Sequence, residues 1–238
     1  MMDARLVTLN QSKSTVNEAY RTLQSNVSFS SVDQGLKTLT VTSPGVSEGK
    51  STTSANLAIT YSQTGQKVLL VDCDLRCPRI HHLFQLGNQK GLTNLLCLKQ
   101  ELEEVKQRVQ DNLDVLTTGP LPPNPVEVLN SQGMKQFIEA TREKYDIIIF
   151  DTPPVGILTD AALIASQTDG ALLVVASGKS EIDLLKQAKE QLNHAKANLI
   201  GAVMTMVPMQ SKNYYRYYEH YGLDTKPKRR FRLWRKKR

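Results

Sequence analysis

Residues 43–52 read Ser43-Pro44-Gly45-Val46-Ser47-Glu48-Gly49-Lys50-Ser51-Thr52, and this segment is the strongest indication of the fold class. An apolar run, Leu36 to Ser43, comes before it and predicts a strand, and a helical pattern follows from about Lys50 to Gln63. A glycine-containing turn between a strand and a helix directs backbone N–H groups at a bound phosphate. The stretch therefore predicts a phosphate-binding loop that opens a nucleotide-binding domain.

Each part of this loop has a predicted role. Lys50 can neutralise the outer phosphates of ATP, and the Ser51 hydroxyl can ligate Mg²⁺. Pro44 replaces the usual first glycine and Gly45 comes one place late, so a chance glycine-lysine-serine turn is the alternative. The strand before the loop and the helix after it favour a nucleotide site. The predicted nucleotide-binding residues are Gly45, Val46, Ser47, Glu48, Gly49, Lys50, Ser51 and Thr52.

The rest of the chain alternates short apolar runs with longer helical patterns, which is typical of βαβ units. We predict an α/β fold of the P-loop NTPase type: a mostly parallel β-sheet flanked by helices, in a single domain with a flexible C-terminal tail. Further strands are predicted at residues 67–72, 113–117, 146–151, 171–176 and 198–207, and further helices at 16–27, 126–145 and 181–197. The predicted boundaries are an N-terminal segment 1–35, the ATP-binding domain 36–207 and a tail 208–238.

Three aspartates stand at predicted strand ends. Asp72 and Asp74 follow the run VLLV, and Asp151 follows IIIF. Ligands of open α/β sheets lie beyond the carboxyl ends of the strands, so all three carboxylates can converge on Mg²⁺ and on the phosphates near Lys50. A lone aspartate at such a place is more often a turn or helix cap, but three beside a phosphate loop favour phosphoryl transfer.

Charge separates the tail from the body of the protein. The net charge is +7, and nine Lys or Arg lie between Lys226 and Arg238, so the other 225 residues sum to 7 − 9 = −2. Phe231, Leu233 and Trp234 are interleaved with these cations. This pattern favours binding to an anionic membrane surface; a merely solvated tail is the next alternative, and nucleic-acid binding is the last and is not expected.

The sequence has neither a signal peptide nor a run of about 18 apolar residues. With three cysteines in no paired spacing, a cytoplasmic protein is expected, reaching the membrane through the tail or a partner.

The tail also holds five of the eight tyrosines within eight positions. They are Tyr214, Tyr215, Tyr217, Tyr218 and Tyr221. A buried aromatic strand is the structural alternative, but Arg216, Glu219 and His220 interrupt any apolar face. Each added phosphate would bring nearly two negative charges beside the basic run.

The phosphate loop, VLLVDCDLRCP and IIIFDTPP together resemble the three motifs of the bacterial tyrosine kinases that regulate capsular and extracellular polysaccharide synthesis. The resemblance runs from about Glu18 to the tyrosine tail. It implies that Lys50 and Ser51 bind nucleotide and metal, that Asp72 is the candidate base, and that Asp74 and Asp151 help to hold Mg²⁺. It further implies autophosphorylation of the tyrosine cluster between neighbouring subunits, a membrane-spanning adaptor that activates the enzyme, and a phosphotyrosine phosphatase as a partner.

The same resemblance covers a helix that joins subunits into a ring through Glu, Arg and Arg at three-residue spacing. Glu18 and Arg21 fit this pattern, but the third position is Gln24. A homo-oligomer, possibly a ring, is therefore expected through Glu18 and Arg21. An ordinary exposed ion pair on one helical face is the competing interpretation.

Two other classes of protein share parts of this pattern. Switch ATPases of the partition and division-site-placement kind have the same strand-end aspartates, but they carry a lysine where this chain has Gly45. A non-catalytic regulatory module with a vestigial site is disfavoured by the intact Lys50 and aspartates. A eukaryotic-type kinase is excluded, since neither an HRD nor a DFG sequence occurs. A tyrosine kinase is the prediction, and the switch ATPase is its alternative.

Overall fold

The structure, a computed structural model, describes residues 3, 5–9, 14–30 and 35–208. A 3-10 turn, Val7–Leu9, precedes helix α1. The helices are α1 Thr15–Phe29, α2 Lys50–Gln63, α3 Ile80–Phe84, α4 Leu92–Leu98, α5 Leu102–Val105, α6 Pro125–Leu129, α7 Gln132–Arg142, α8 Asp160–Ala165 and α9 Ile182–His194. The strands are β1 Thr38–Thr42, β2 Val68–Asp72, β3 Gln107–Gln110, β4 Leu113–Leu116, β5 Ile147–Asp151, β6 Gly170–Ala176 and β7 Leu199–Thr205.

The strands form one sheet in the order β3-β4-β2-β5-β1-β6-β7. Every neighbouring pair is parallel except β3 and β4. Strands β1, β2 and β5 are buried along their whole length, as expected of central strands covered by helices on both faces. The predicted fold is confirmed, and α2 has the predicted bounds.

The topology brings three strand ends together beside the phosphate loop. Strand β5 lies between β1 and β2, and Asp72 pairs in register with Asp151. The phosphate loop leaves the carboxyl end of β1 and enters α2. All the candidate carboxylates therefore lie at the same edge of the sheet, where ligands of open α/β sheets bind.

Some predicted elements are wrong in detail. The helix predicted over residues 126–145 is two helices, because α6 ends at Leu129 and Ser131 starts α7 by accepting a hydrogen bond from the Met134 N–H at 3.2 Å. A serine in this position caps the free N–H groups of a new helix. The antiparallel edge strand β3 and the short helices α3, α4, α5 and α8 were not predicted.

Residues 5–9 form what we call the N-terminal strap, which crosses the outer face of α2. Leu6 is 3% exposed within the core. The fully buried Asn56 of α2 accepts hydrogen bonds from the Thr8 N–H at 3.1 Å and the Thr8 hydroxyl at 2.9 Å, and it donates to the Arg5 carbonyl at 2.9 Å. A buried amide satisfied in this way fixes the strap against the helix that opens at the phosphate loop.

None of the helices in the described ranges combines the length and the apolar character that a membrane span requires.

Candidate nucleotide and phosphoryl-transfer site

The phosphate loop needs backbone conformations that favour glycine. Gly49, which directly precedes α2, has φ +94°, and a Cβ built there would lie 3.5 Å from the Thr205 side chain. Side chains rarely adopt this left-handed region. The first N–H groups of α2 have no acceptor within the helix, so they are available to an anion in the loop.

Distant segments brace the loop from outside. The buried Glu48 carboxylate accepts from the Gly45 N–H at 3.0 Å and from the Ser180 hydroxyl at 2.6 Å. The Thr205 hydroxyl donates to the Glu48 carbonyl at 2.7 Å, and Lys179 donates to the Ser47 carbonyl at 2.7 Å. The loop shape therefore depends on the turn after β6 and on the end of β7, both more than 130 residues away along the chain.

Lys50 lies between two of the predicted aspartates. Its ammonium nitrogen is 2.9 Å from Asp74 Oδ2, 3.6 Å from Asp151 Oδ2 and 3.3 Å from the Ser51 hydroxyl. Burial works against the charge, but Asp151 and Asp74 together raise the pKa of Lys50 above its ordinary value. Lys50 is therefore a fixed positive charge inside the site.

Asp72 occupies a different position from the other two carboxylates. It is fully buried, and its oxygens accept three backbone N–H groups, from Asp74 at 3.1 Å, Arg79 at 3.1 Å and Ile80 at 3.0 Å. Burial and the nearby Asp151 nevertheless raise its pKa to about 8. Asp72 thus holds the turn from β2 to α3, beneath the surface that faces the ligand.

The phosphate loop and Asp74 border a cleft of about 550 Å³, whereas Asp72 and Asp151 are buried behind it. Lys50, Ser51 and Asp74 line its floor, while Arg5, Arg76, Arg79 and His82 stand along its lining from the strap and the β2–α3 segment. Arg76 is engaged: its guanidinium makes two hydrogen bonds, of 3.0 and 3.3 Å, to the buried Asp160 at the start of α8.

The donor set fits Mg²⁺. One oxygen of Asp151 accepts from the Ser54 hydroxyl at 3.1 Å, whereas the other, Oδ2, is buried with no hydrogen-bond partner in the described part of the chain. Desolvation raises the pKa of Asp151, which is the cost of burying such a carboxylate. Two carboxylates and a serine hydroxyl, completed by phosphate and water, are typical Mg²⁺ ligands. Within the described ranges no group of three His, Cys, Asp or Glu forms a metal site by itself.

A family model described as an AAA domain matches residues 37–200. The tyrosine-protein kinase YwqD of Bacillus subtilis is 43% identical over 218 residues, a match that covers 91% of this chain and 92% of that protein. The tyrosine-protein kinase CpsD of Streptococcus agalactiae is 37% identical, with 90% and 93% covered. The chain belongs to the bacterial tyrosine kinases. Solved structures agree, since the chimerical protein CapA2B2 superposes with a TM-score of 0.83 at 36% identity, covering 87% of this chain and 92% of that one.

Membership in the bacterial tyrosine kinases decides between the two predicted classes. The septum site-determining protein MinD of Pyrococcus horikoshii, complexed with Mg-ADP, has a TM-score of 0.60 and 24% identity, with 71% of this chain and 69% of that chain covered. That likeness shows a shared fold alone. The prediction of a tyrosine kinase is confirmed, and the switch ATPase is the more distant class.

The residues predicted for oligomerisation lie on one exposed helix face, and those predicted for autophosphorylation are not described by the structure. Glu18 and Arg21 form an exposed ion pair of 2.5 Å within α1, and Gln24 donates to the Thr64 hydroxyl of its own subunit at 3.1 Å. The tyrosine cluster from Tyr214 to Tyr221 and the basic run lie outside the described residues. Ser180 and Thr205, which brace the loop, were not predicted, because nothing in their local sequence marks a contact with so distant a residue.

Proposed function

We propose that the protein transfers the γ-phosphoryl group of ATP to tyrosine hydroxyls, including those of its own cluster, Tyr214, Tyr215, Tyr217, Tyr218 and Tyr221. The observation that carries the proposal is the position of Lys50, held by Asp74 and Asp151 on the floor of a cleft that opens at a phosphate loop. Phosphoryl transfer requires positioning and charge neutralisation more than covalent chemistry from the protein, and this arrangement supplies both.

In the proposed reaction the phenolic oxygen of tyrosine forms a bond to the γ-phosphorus while the bond to the β–γ bridging oxygen breaks and ADP leaves. The backbone of residues 45–52 and the Lys50 ammonium bind the phosphates. Ser51, Asp74 and Asp151 would hold Mg²⁺, which when bound neutralises charge on the phosphates. The phenol proton passes to a carboxylate. We propose Asp72 as this carboxylate: it lies beneath the cleft, where it accepts from the Asp74 N–H, and its raised pKa of about 8 favours uptake of the proton.

The setting of the enzyme is part of the same proposal. We propose that it acts in the cytoplasm at the inner face of the cell membrane, bound to a membrane-spanning adaptor and to the anionic surface through residues 226–238. Copies of the chain, joined into a homo-oligomer such as a ring by Glu18 and Arg21, would supply tyrosines to one another, and a phosphotyrosine phosphatase would reverse the modification. Control of capsular or extracellular polysaccharide synthesis is the proposed outcome.

The test is phosphate incorporation from ATP and Mg²⁺ by the purified protein, with and without the cytoplasmic segment of an adaptor, mapped by mass spectrometry. Phosphate on Tyr214 to Tyr221 that is lost in Lys50→Met and retained in the exposed control Lys135→Met supports the proposal. ATP turnover without phosphotyrosine, adaptor present, overturns it in favour of a switch ATPase.

A further inference from the structure

Two arginines on the lining of the nucleotide cleft have no role in the site described above. Arg79 is exposed at the start of α3, and Arg5 is exposed on the N-terminal strap. Both line the same cleft as Lys50 and Asp74. Arg76 also lines it, but its guanidinium is already held by Asp160. We ask what Arg5 and Arg79 bind.

The backbone of Arg79 is held by a hydrogen bond, whereas its guanidinium has no ion-pair partner among the described residues. Its N–H donates to Asp72 Oδ2 at 3.1 Å, and the following Ile80 is fully buried. An arginine whose backbone is held in place and whose guanidinium has no carboxylate partner can bind an anion that enters the cleft.

Arg5 is placed by the strap. Its carbonyl accepts from the Asn56 amide at 2.9 Å, and the neighbouring Leu6 is anchored in the core. Its guanidinium pairs with Asp3 in an ion pair whose arginine side chain is 63% exposed. The guanidinium donates to both oxygens of Asp3, but water reaches the pair and screens it, so an incoming anion can compete with Asp3 for Arg5.

Arg79 lies five residues beyond Asp74, on the segment between β2 and α3, whereas the phosphate loop lies between β1 and α2. We take the side of the cleft that carries Arg79 as the acceptor side. The chain leaves the sheet at Met206, which lines the same cleft, and Tyr217 follows eleven residues later. That length spans at most about 40 Å when extended, so the tyrosine cluster of this chain or of a second copy can be presented here.

We propose that Arg5 and Arg79 form an anion subsite that binds the phosphate of an already phosphorylated tyrosine while a neighbouring tyrosine of the same segment enters the cleft. The proposal rests on the function proposed above. Tyrosines three positions apart lie about 10 Å from each other in an extended chain. The first phosphate on the cluster therefore makes the next transfer more efficient, and the cluster fills in a self-reinforcing order.

The test uses the full chain and two peptides of residues 211–222. Both keep Tyr217 as acceptor and carry Tyr215→Phe and Tyr218→Phe. One has phosphotyrosine at positions 214 and 221, and the other has Tyr214→Phe and Tyr221→Phe. We expect the wild type to use the phosphorylated peptide with a kcat/KM about fivefold higher. Arg79→Gln should bring the ratio near one and Arg79→Glu below one, whereas the exposed control Lys135→Gln keeps the wild-type ratio.

A wild-type ratio near one, or a ratio that Arg79→Gln leaves unchanged, overturns the subsite. So does a rise in the KM for ATP in Arg79→Gln that is equal with both peptides, because the arginine would then contact the nucleotide. Fluorescence anisotropy of the labelled phosphorylated peptide measures the subsite without catalysis. If Arg79→Gln weakens binding of the phosphorylated peptide while neither peptide is phosphorylated by the wild type, the result supports the subsite. It counts against the proposed phosphorylation of the tyrosine cluster only.

Discussion

The pKa values of aspartates at the two ends of the sheet are shifted in opposite directions. At the carboxyl ends of the strands, desolvation raises the pKa of Asp72 to about 8 and raises that of Asp151 as well. At the opposite end, Asp169 accepts four hydrogen bonds, from the Thr38 N–H and hydroxyl, the Lys37 N–H and Arg142. Burial again opposes the charge of Asp169, but Arg142 and Thr38 lower its pKa below the usual value.

We infer from this difference which aspartates serve chemistry and which serve stability. A carboxylate whose pKa is raised by burial and by a neighbouring carboxylate is costly to keep charged, and a ligand that supplies positive charge offsets this cost. A carboxylate with a lowered pKa already has its partners, and its charge stabilises the fold. The same substitution, Asp to Asn, should therefore give opposite results at the two ends.

The largest expected effect is at the catalytic end. Asp74→Asn removes the charge that lies 2.9 Å from the Lys50 ammonium and a proposed Mg²⁺ ligand, so kcat for tyrosine phosphorylation should fall about 10² to 10³-fold. The Asn side chain can still accept from the Cys77 N–H, which Asp74 now does at 3.0 Å, so the thermal midpoint should change little. Steady-state kinetics and thermal denaturation of one preparation check both parts. Full activity in Asp74→Asn would place the chemistry elsewhere.

Nucleotide binding tests the end of the sheet that carries Lys50. Mg-ADP at about 100 times its Kd should stabilise the wild type by about 2.7 kcal/mol, which corresponds to a rise in Tm of several degrees for a chain of this size. Lys50→Met should lose most of this rise, because the phosphates lose their buried cation. Lys135→Met should keep it. Equal rises in both variants would mean that the nucleotide binds without Lys50.

At the opposite end, Asp169→Asn should destabilise the protein by about 2 kcal/mol, because the charge that these hydrogen bonds contact is lost and an amide cannot accept from both Arg142 and the backbone N–H groups. The kcat for phosphorylation should stay near the wild-type value. The matched control is Asp146→Asn, since Asp146 is exposed and accepts a single backbone N–H, from Lys67 at 2.8 Å. Urea denaturation compares the two. A loss of stability in Asp146→Asn as large as in Asp169→Asn would contradict the stabilising role of the Asp169 charge.

The pH dependence of stability tests the sign of the Asp169 shift. A lowered pKa in the folded state contributes stability above the unfolded value of about 3.9, and this contribution is lost as the pH falls through the folded value. The difference in unfolding free energy between wild type and Asp169→Asn should therefore be largest near pH 6 and should narrow below pH 4. A difference that is constant down to pH 3 would show that the carboxylate charge is not involved.

The sequence predicted elements whose signals are local. Continuous apolar runs identified β2, β5 and β6, and the phosphate loop identified the start of α2 at Lys50. The convergence of Asp74 and Asp151 on Lys50 followed from one rule, that parallel strands end at the same edge. The break at Ser131 was missed because Val126 to Tyr145 keeps a helical pattern on both sides of it.

Contacts between distant segments could not be predicted in this way. Ser180 reaches Glu48 across 132 positions and Thr205 reaches it across 157, and each looks locally like an ordinary turn or strand residue. The partners that lower the pKa of Asp169 lie 131 residues away at Thr38 and 27 away at Arg142. Distinguishing a stabilising aspartate from a catalytic one therefore required the structure.

The smallest predicted effect concerns the bracing of the phosphate loop. Ser180→Ala removes the 2.6 Å hydrogen bond to the buried Glu48 carboxylate, which itself holds the Gly45 N–H. A charge-assisted hydrogen bond of this kind contributes about 1 to 2 kcal/mol, and part of that loss should appear as a rise in the KM for ATP of about fivefold, with kcat changed less. Ser166→Ala is the matched control, because within the described residues the Ser166 hydroxyl donates only to the Leu163 carbonyl, at 2.9 Å. If Ser180→Ala lowers Tm without changing the KM for ATP, the hydrogen bond from Ser180 to Glu48 stabilises the fold and does not shape the nucleotide site.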